Sequence, residues 1–214
     1  MQRTEPPLIA VAICLAALAG FVDALAFTSL GGFFASFMSG NSTRLAVSWT
    51  IGARGDAMVA GALILSFVSG VILGSIATRV RPKGTQAMVM LLVTLLLTAA
   101  ALVANVTPGP IALLLLAAAM GAENSVFNRD GEVTIGLTYM TGSLVRMGQK
   151  AAGALMGDTD RWAWLPWLAL WFGFVAGAAL GASAQSAYAW SALWFAPLAS
   201  AVLTLLIARV SSRT

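Results

Sequence analysis

The chain has 214 residues, 59% of them hydrophobic and only 9% charged, against roughly 25% charged in an ordinary soluble domain. That excludes a soluble globular protein, because only lipid can cover so much apolar surface. The net charge of +4 sits at segment ends and forms no basic cluster for nucleic acid. The absence of histidine removes Ser-His and Cys-His pairs and imidazole metal sites, so the chain reads as a non-enzyme without metal or cofactor.

Residues 8–30 form the first apolar run, close to the ~20 residues a spanning helix needs. Following Arg3, its start also has the look of a signal peptide, but the repeat described below assigns it to the mature fold. The single cysteine, Cys14, lies in this run and can form no internal disulfide. Asp23 is about 15 residues into it, ~22 Å along a helix. An acid at that depth is expensive and is by default a functional candidate, for proton coupling or a cation site; the alternative is a structural bridge to a polar turn or to Arg44.

Residues 33–51 differ in kind. An aromatic-rich stretch leads to Ser39-Gly40-Asn41, where Asn41 is expected to cap a short helix. The sequence predicts an extended segment turning into a half-helix that enters and leaves on one side. Spanning helices follow over 57–79 and Thr85–Val106, joined through the loop Arg81-Pro82-Lys83-Gly84. Pro108-Gly109-Pro110 punctuates the middle of the chain.

Beyond it the pattern recurs: a spanning run over 110–128, a second extended-then-helical element over 133–155 with Thr141-Gly142-Ser143 at its turn, and spanning runs over 162–183 and 188–207. Gly20-Phe-Val-Asp23 matches Gly121-Ala-Glu-Asn124 at an offset of 101, and the Met38 block matches the Met140 block at 102. The stretch Phe67 to Gly74 matches Phe174 to Gly181 at 107. Three blocks in one order indicate a duplication, with halves 1–107 and 108–214.

With six spanning helices and the amino terminus inside, ten of the twelve basic residues lie inside and only Arg44 and Arg54 outside. A model with eight spans splits the charges four against five and buries three, so the positive-inside rule selects six. Three spans per half is odd, and the halves are therefore inverted. The expected fold is an all-α membrane protein: six transmembrane helices from two inverted three-helix repeats, each with a re-entrant element. Both termini are expected in the cytoplasm.

Inversion brings the two polar turns together near the midplane, a recurring plan in secondary transporters. Two helix amino termini then offer free N–H groups and partial positive charge to one volume. The expected substrate-binding set is Asp23, Ser39, Gly40, Asn41, Asn124, Thr141, Gly142 and Ser143. Arg44 and Arg146 either extend the positive field or snorkel to the interface. The bland reading of Gly40 and Gly142 is close helix packing, which is also the reading for Gly70, Gly74, Gly173, Gly177 and Gly181.

These blocks, Gly-Phe-Val-Asp, Gly-Gly and Met-(Ser/Thr)-Gly-Asn, with Tyr-Met-Thr-Gly-Ser-Leu in the second half, resemble the YoaK family of bacterial inner-membrane proteins over nearly the whole chain. Ser39 stands where that family usually has Thr, and Glu123 where Gln is common. The resemblance implies a multi-pass protein of the cytoplasmic membrane and names no substrate. The expectation is a small permease for a small anionic or polar solute, with a homodimer as its assembly. The alternative is a non-transporting membrane sensor or assembly protein.

Overall fold

A computed structural model of the chain describes residues 6–80, 84–129, 132–133 and 138–211. In chain order it contains α1 (Pro6–Ser29), α2 (Met38–Thr50), α3 (Arg54–Val80), α4 (Thr85–Val106) and α5 (Pro110–Glu123). A two-residue antiparallel bridge, β1 (Asn128–Arg129) with β2 (Glu132–Val133), follows. The chain continues with α6 (Met140–Leu155), α7 (Leu165–Tyr188), a 3-10 turn at Ala189–Trp194 and α8 (Phe195–Ser211). The architecture is that of an α-helical membrane protein.

Ile9–Ser29, Arg54–Val80 and Thr85–Val106 are each long and apolar enough to cross a bilayer. So is the stretch Leu165–Arg209, whose 45 residues hold α7 and most of α8. Outward faces carry large apolar side chains such as Leu65, Ile72, Ile76, Leu95 and Leu180, as lipid requires and water would penalise.

Several boundaries differ from the sequence expectation, among them those of α7, which runs over Leu165–Tyr188 rather than 162–183. The fifth element stops at Glu123 rather than 128, so α5 has only 14 residues, ~21 Å. There the Asn124 side chain takes the Met120 carbonyl at 2.9 Å, and Ser125 and Val126 donate to Ala122 and Glu123 in tight turns. The eighth element begins as a 3-10 turn, after Ala189 adopts a left-handed φ of 50°. The short helices start earlier than expected: Phe37 and Tyr139 occupy the N-cap positions of α2 and α6 with no side-chain cap. Asn41 and Ser143 therefore lie inside the first turn and cap nothing. Of the extended segments expected ahead of these helices, residues 134–137 lie outside the described residues.

Helix α1 packs on α7 and α3 on α5, while α4 lies against α5 and α8. Glycine sets the separations. A Cβ on Gly20 would strike the carbonyl oxygen of Phe174, and one on Gly121 the carbonyl oxygen of Phe67. Gly177 meets Ala17 as Gly70 meets Ala118, and Gly181 meets Phe21 as Gly74 meets Ala122. Every pair maps onto its counterpart by adding 101 on the first helix of a half and 107 on the third (17 to 118, 67 to 174). Backbones this close gain dispersion energy that lipid cannot supply, which is why small residues sit there.

Candidate functional site

The site begins where α1 meets the irregular segment before α2. Asp23 is 3% exposed. Its Oδ1 accepts the Ser36 backbone N–H at 2.6 Å and its Oδ2 accepts the Ser36 hydroxyl at 2.7 Å. The second half has the neutral version: Thr138 donates its hydroxyl to Asn124 Oδ1 at 3.1 Å. Thus Asp23 in the first half and Asn124 in the second each hold a hydroxyl residue that shortly precedes the following short helix.

Asn41, fully buried, clamps the same approach from the other end. Its Oδ1 accepts from Phe34 N–H at 3.1 Å and its Nδ2 donates to Phe34 O at 2.7 Å, a pairing that replaces a missing backbone ladder. Arg44 donates to the carbonyls of Gly31 and Gly32 at 3.0 and 2.8 Å and lies 4.0 Å from the Phe33 ring centroid. The two glycines have φ of 67° and 93°, a left-handed turn that favours Gly. Arg44 is therefore a staple for this turn and a loose partner of Asp56 at 3.8 Å. Arg146 lies 5.0 Å from the Trp167 ring centroid.

Between these elements is a cavity of about 880 Å³, at the upper end of the ~300–1,000 Å³ usual for small-molecule sites. Residues 36–39 and 138–141 line it from the two short-helix starts, Asp23 and Phe27 from α1, Phe67 from α3, and Phe174 and Ala178 from α7. Most of the wall is aromatic or aliphatic. Phe34 contacts Phe27 and Phe37, each with ring centroids 5.2 Å apart, and so builds part of it.

Of the expected substrate-binding residues, Asp23, Ser39 and Thr141 face this cavity; Gly40, Asn41, Asn124, Gly142 and Ser143 do not. Asn41 and Asn124 hold the frame instead. Gly40 and Gly142 make room for an aromatic ring: a Cβ at Gly40 would strike Phe37, and one at Gly142 would strike Tyr139. The arginines do not line the cavity either. Sequence reading missed Ser36, Thr138 and the aromatic wall. The signal was present, since Ser36 and Thr138 are 102 apart, the same offset as Met38 and Met140.

A multi-pass membrane protein with an aromatic-walled cavity is thus the class that fold and site define. The chain belongs to the family described as protein of unknown function (DUF1275), whose model matches residues 11–206. It is 34% identical over 181 residues to the UPF0700 transmembrane protein RA0705 of Rhizobium meliloti (strain 1021), covering 81% of this chain and 74% of that protein. No solved structure matches the chain significantly.

Proposed function

We propose that the protein is a small secondary transporter of the bacterial cytoplasmic membrane, binding a small organic solute in the cavity between the starts of α2 and α6. The single observation that carries this reading is that both repeated blocks, 36–39 and 138–141, line one cavity with an intramembrane acid at its wall. Irregular backbone within a membrane is tolerated where it lines such a space.

The topology in this reading has six crossings, with 1–107 and 108–214 as inverted three-helix repeats, α2 and α6 re-entrant, and both termini cytoplasmic. Support comes from the reciprocal glycine contacts of α1 with α7 and α5 with α3, which relate the halves by exchange. The ten-to-two charge split supplies the orientation. Two copies associate as a homodimer, the commonest closed assembly of identical chains.

The solute is uncharged or cationic, with an apolar body and a polar end. Aromatic walls favour the body and can hold a cation over a ring face, while the Asp23 carboxyl disfavours an anion. Ser39 and Thr141 offer hydroxyls to the polar end. No residue of the site is assigned a catalytic step.

The test is thermal stabilisation of the purified protein by a panel of neutral, cationic and anionic solutes, followed by uptake into liposomes. Stabilisation by neutral or cationic members, lost in Ala178→Trp, and uptake of the same solute are the expected results. Stabilisation without uptake points to a membrane sensor. No stabilisation by any of the panel, with Ala178→Trp indistinguishable from wild type, ends the transport reading.

A further inference from the structure

Glu123 is the last residue of α5, fully buried, and neither carboxyl oxygen has a hydrogen-bond partner. The helices packed on α5 are α3, α4 and α1. On α3 the charged groups, Arg54, Asp56 and Arg79, are all exposed; α4 carries none. On α1, which packs on α5, the charged group is Asp23, whose negative charge opposes ionisation of Glu123. Among the residues whose side chains are described, no cation pairs with Glu123.

The duplication sharpens the point. The residue matching Glu123, at an offset of 101, is Val22, also fully buried. One half fills this place with an isopropyl group and the other with an acid, so packing does not require the carboxyl. Among the described residues each half contributes one buried acid, shifted by a single position: Asp23 in the first, Glu123 in the second. A carboxylate sealed from water without donor or cation is strongly disfavoured, and a second negative charge nearby adds repulsion that a dry interior screens poorly. The smallest ligand that removes both penalties is a proton.

We propose that Glu123 is a proton-binding site coupled to Asp23, which connects it with the cavity wall. The proton comes from water, forms an O–H bond to one Glu123 oxygen, and returns to water on release. This adds a proton site beside the proposed transport cavity and does not depend on the transport reading.

The experiment is pH-difference infrared spectroscopy on the full chain in lipid nanodiscs. A protonated carboxyl with few hydrogen bonds gives a C=O band above the amide region. The expected band appears and disappears with pH, is absent in Glu123→Gln, and titrates at a different pH in Asp23→Asn. A band that is missing from wild type at every pH, or present and unaltered across the whole range, overturns the site. A band untouched by Asp23→Asn overturns the coupling. Glu123→Val, which installs the residue of the matching position, is expected to be at least as heat-stable as wild type; marked destabilisation would mean that the carboxyl is structural. None of these readings uses a solute, so failure here leaves the transport reading standing, and failure of solute binding leaves this site standing.

Discussion

Ser36 gives Asp23 two donors, the amide N–H at 2.6 Å and the hydroxyl at 2.7 Å, and so fastens the approach to α2 onto the C-terminal part of α1. Charge-assisted bonds of this kind are stronger than neutral ones, worth roughly 1.5–3 kcal/mol each. Ser36→Ala removes the hydroxyl bond and keeps the amide bond. We expect an apparent destabilisation of about 1–3 kcal/mol, read as a lower melting temperature in detergent. Asp23→Ala should cost more, because it strands a buried N–H as well. Equal melting temperatures for wild type and both variants would show that this grip contributes nothing.

The glycine contacts predict a second, sharply divided series. Ala at Gly20, Gly70, Gly121 or Gly177 drives a methyl into a backbone carbonyl of the facing helix, which cannot swing aside as a side chain can. Overpacking of this sort typically costs about 1–3 kcal/mol. Gly148 in α6 has open space around it, and Ala there should be neutral or stabilising by up to ~1 kcal/mol through helix propensity. Melting temperatures of the five variants check the division. A drop at Gly148 as large as at Gly20 would mean that helix contact does not set the cost.

Much of the fold was legible because apolar runs, glycine spacing and basic loops are local patterns. The limits of α4 follow from the sequence alone, as does the correspondence of Gly20 with Gly121. Local pattern fails where a side chain is used at a distance. Asn41 has the composition of a helix cap, yet its amide is spent on Phe34, seven residues back. Gly40 sits in a polar turn by composition, yet its missing Cβ accommodates the ring of Phe37. The aromatic wall draws Phe27, Phe67 and Phe174 from three helices; the 107-residue offset relates Phe67 to Phe174, but no local pattern places Phe27 beside them.

Arg44 should govern the order of the segment it staples. Its bonds to the Gly31 and Gly32 carbonyls and its stacking on Phe33 rely on a planar, forked cation that lysine lacks. Arg44→Lys and Arg44→Ala should both raise amide hydrogen exchange across residues 30–37, Ala the more. Exchange in α4, which packs on α3, α5 and α8, should stay as in wild type. Unchanged exchange at 30–37 in the Ala variant would leave the staple without effect.

The topology is open to a direct measurement. The sole native cysteine, Cys14, can be replaced by Ala, giving a background for single cysteines placed one at a time. The loop between α3 and α4 holds Arg81, Lys83 and the left-handed Gly84, and the loop between α4 and α5 holds Thr107 and Gly109 without a basic residue. Positive charge is retained in the cytoplasm, and α4, 22 residues long, spans ~33 Å between the two loops. They must then face opposite sides. A membrane-impermeant maleimide added to intact cells should label cysteines at 107 and 109 and spare one at 84; inverted vesicles should reverse the result. In the same experiment a cysteine at Gly52, beyond the end of α2, should label from outside, and one at Gly157, beyond α6, from inside, as the proposed re-entry of α2 and α6 requires. Labelling of 84 from outside would reverse the orientation. Labelling of 52 and 157 from the same side would remove the inversion on which a shared cavity between the two short helices depends.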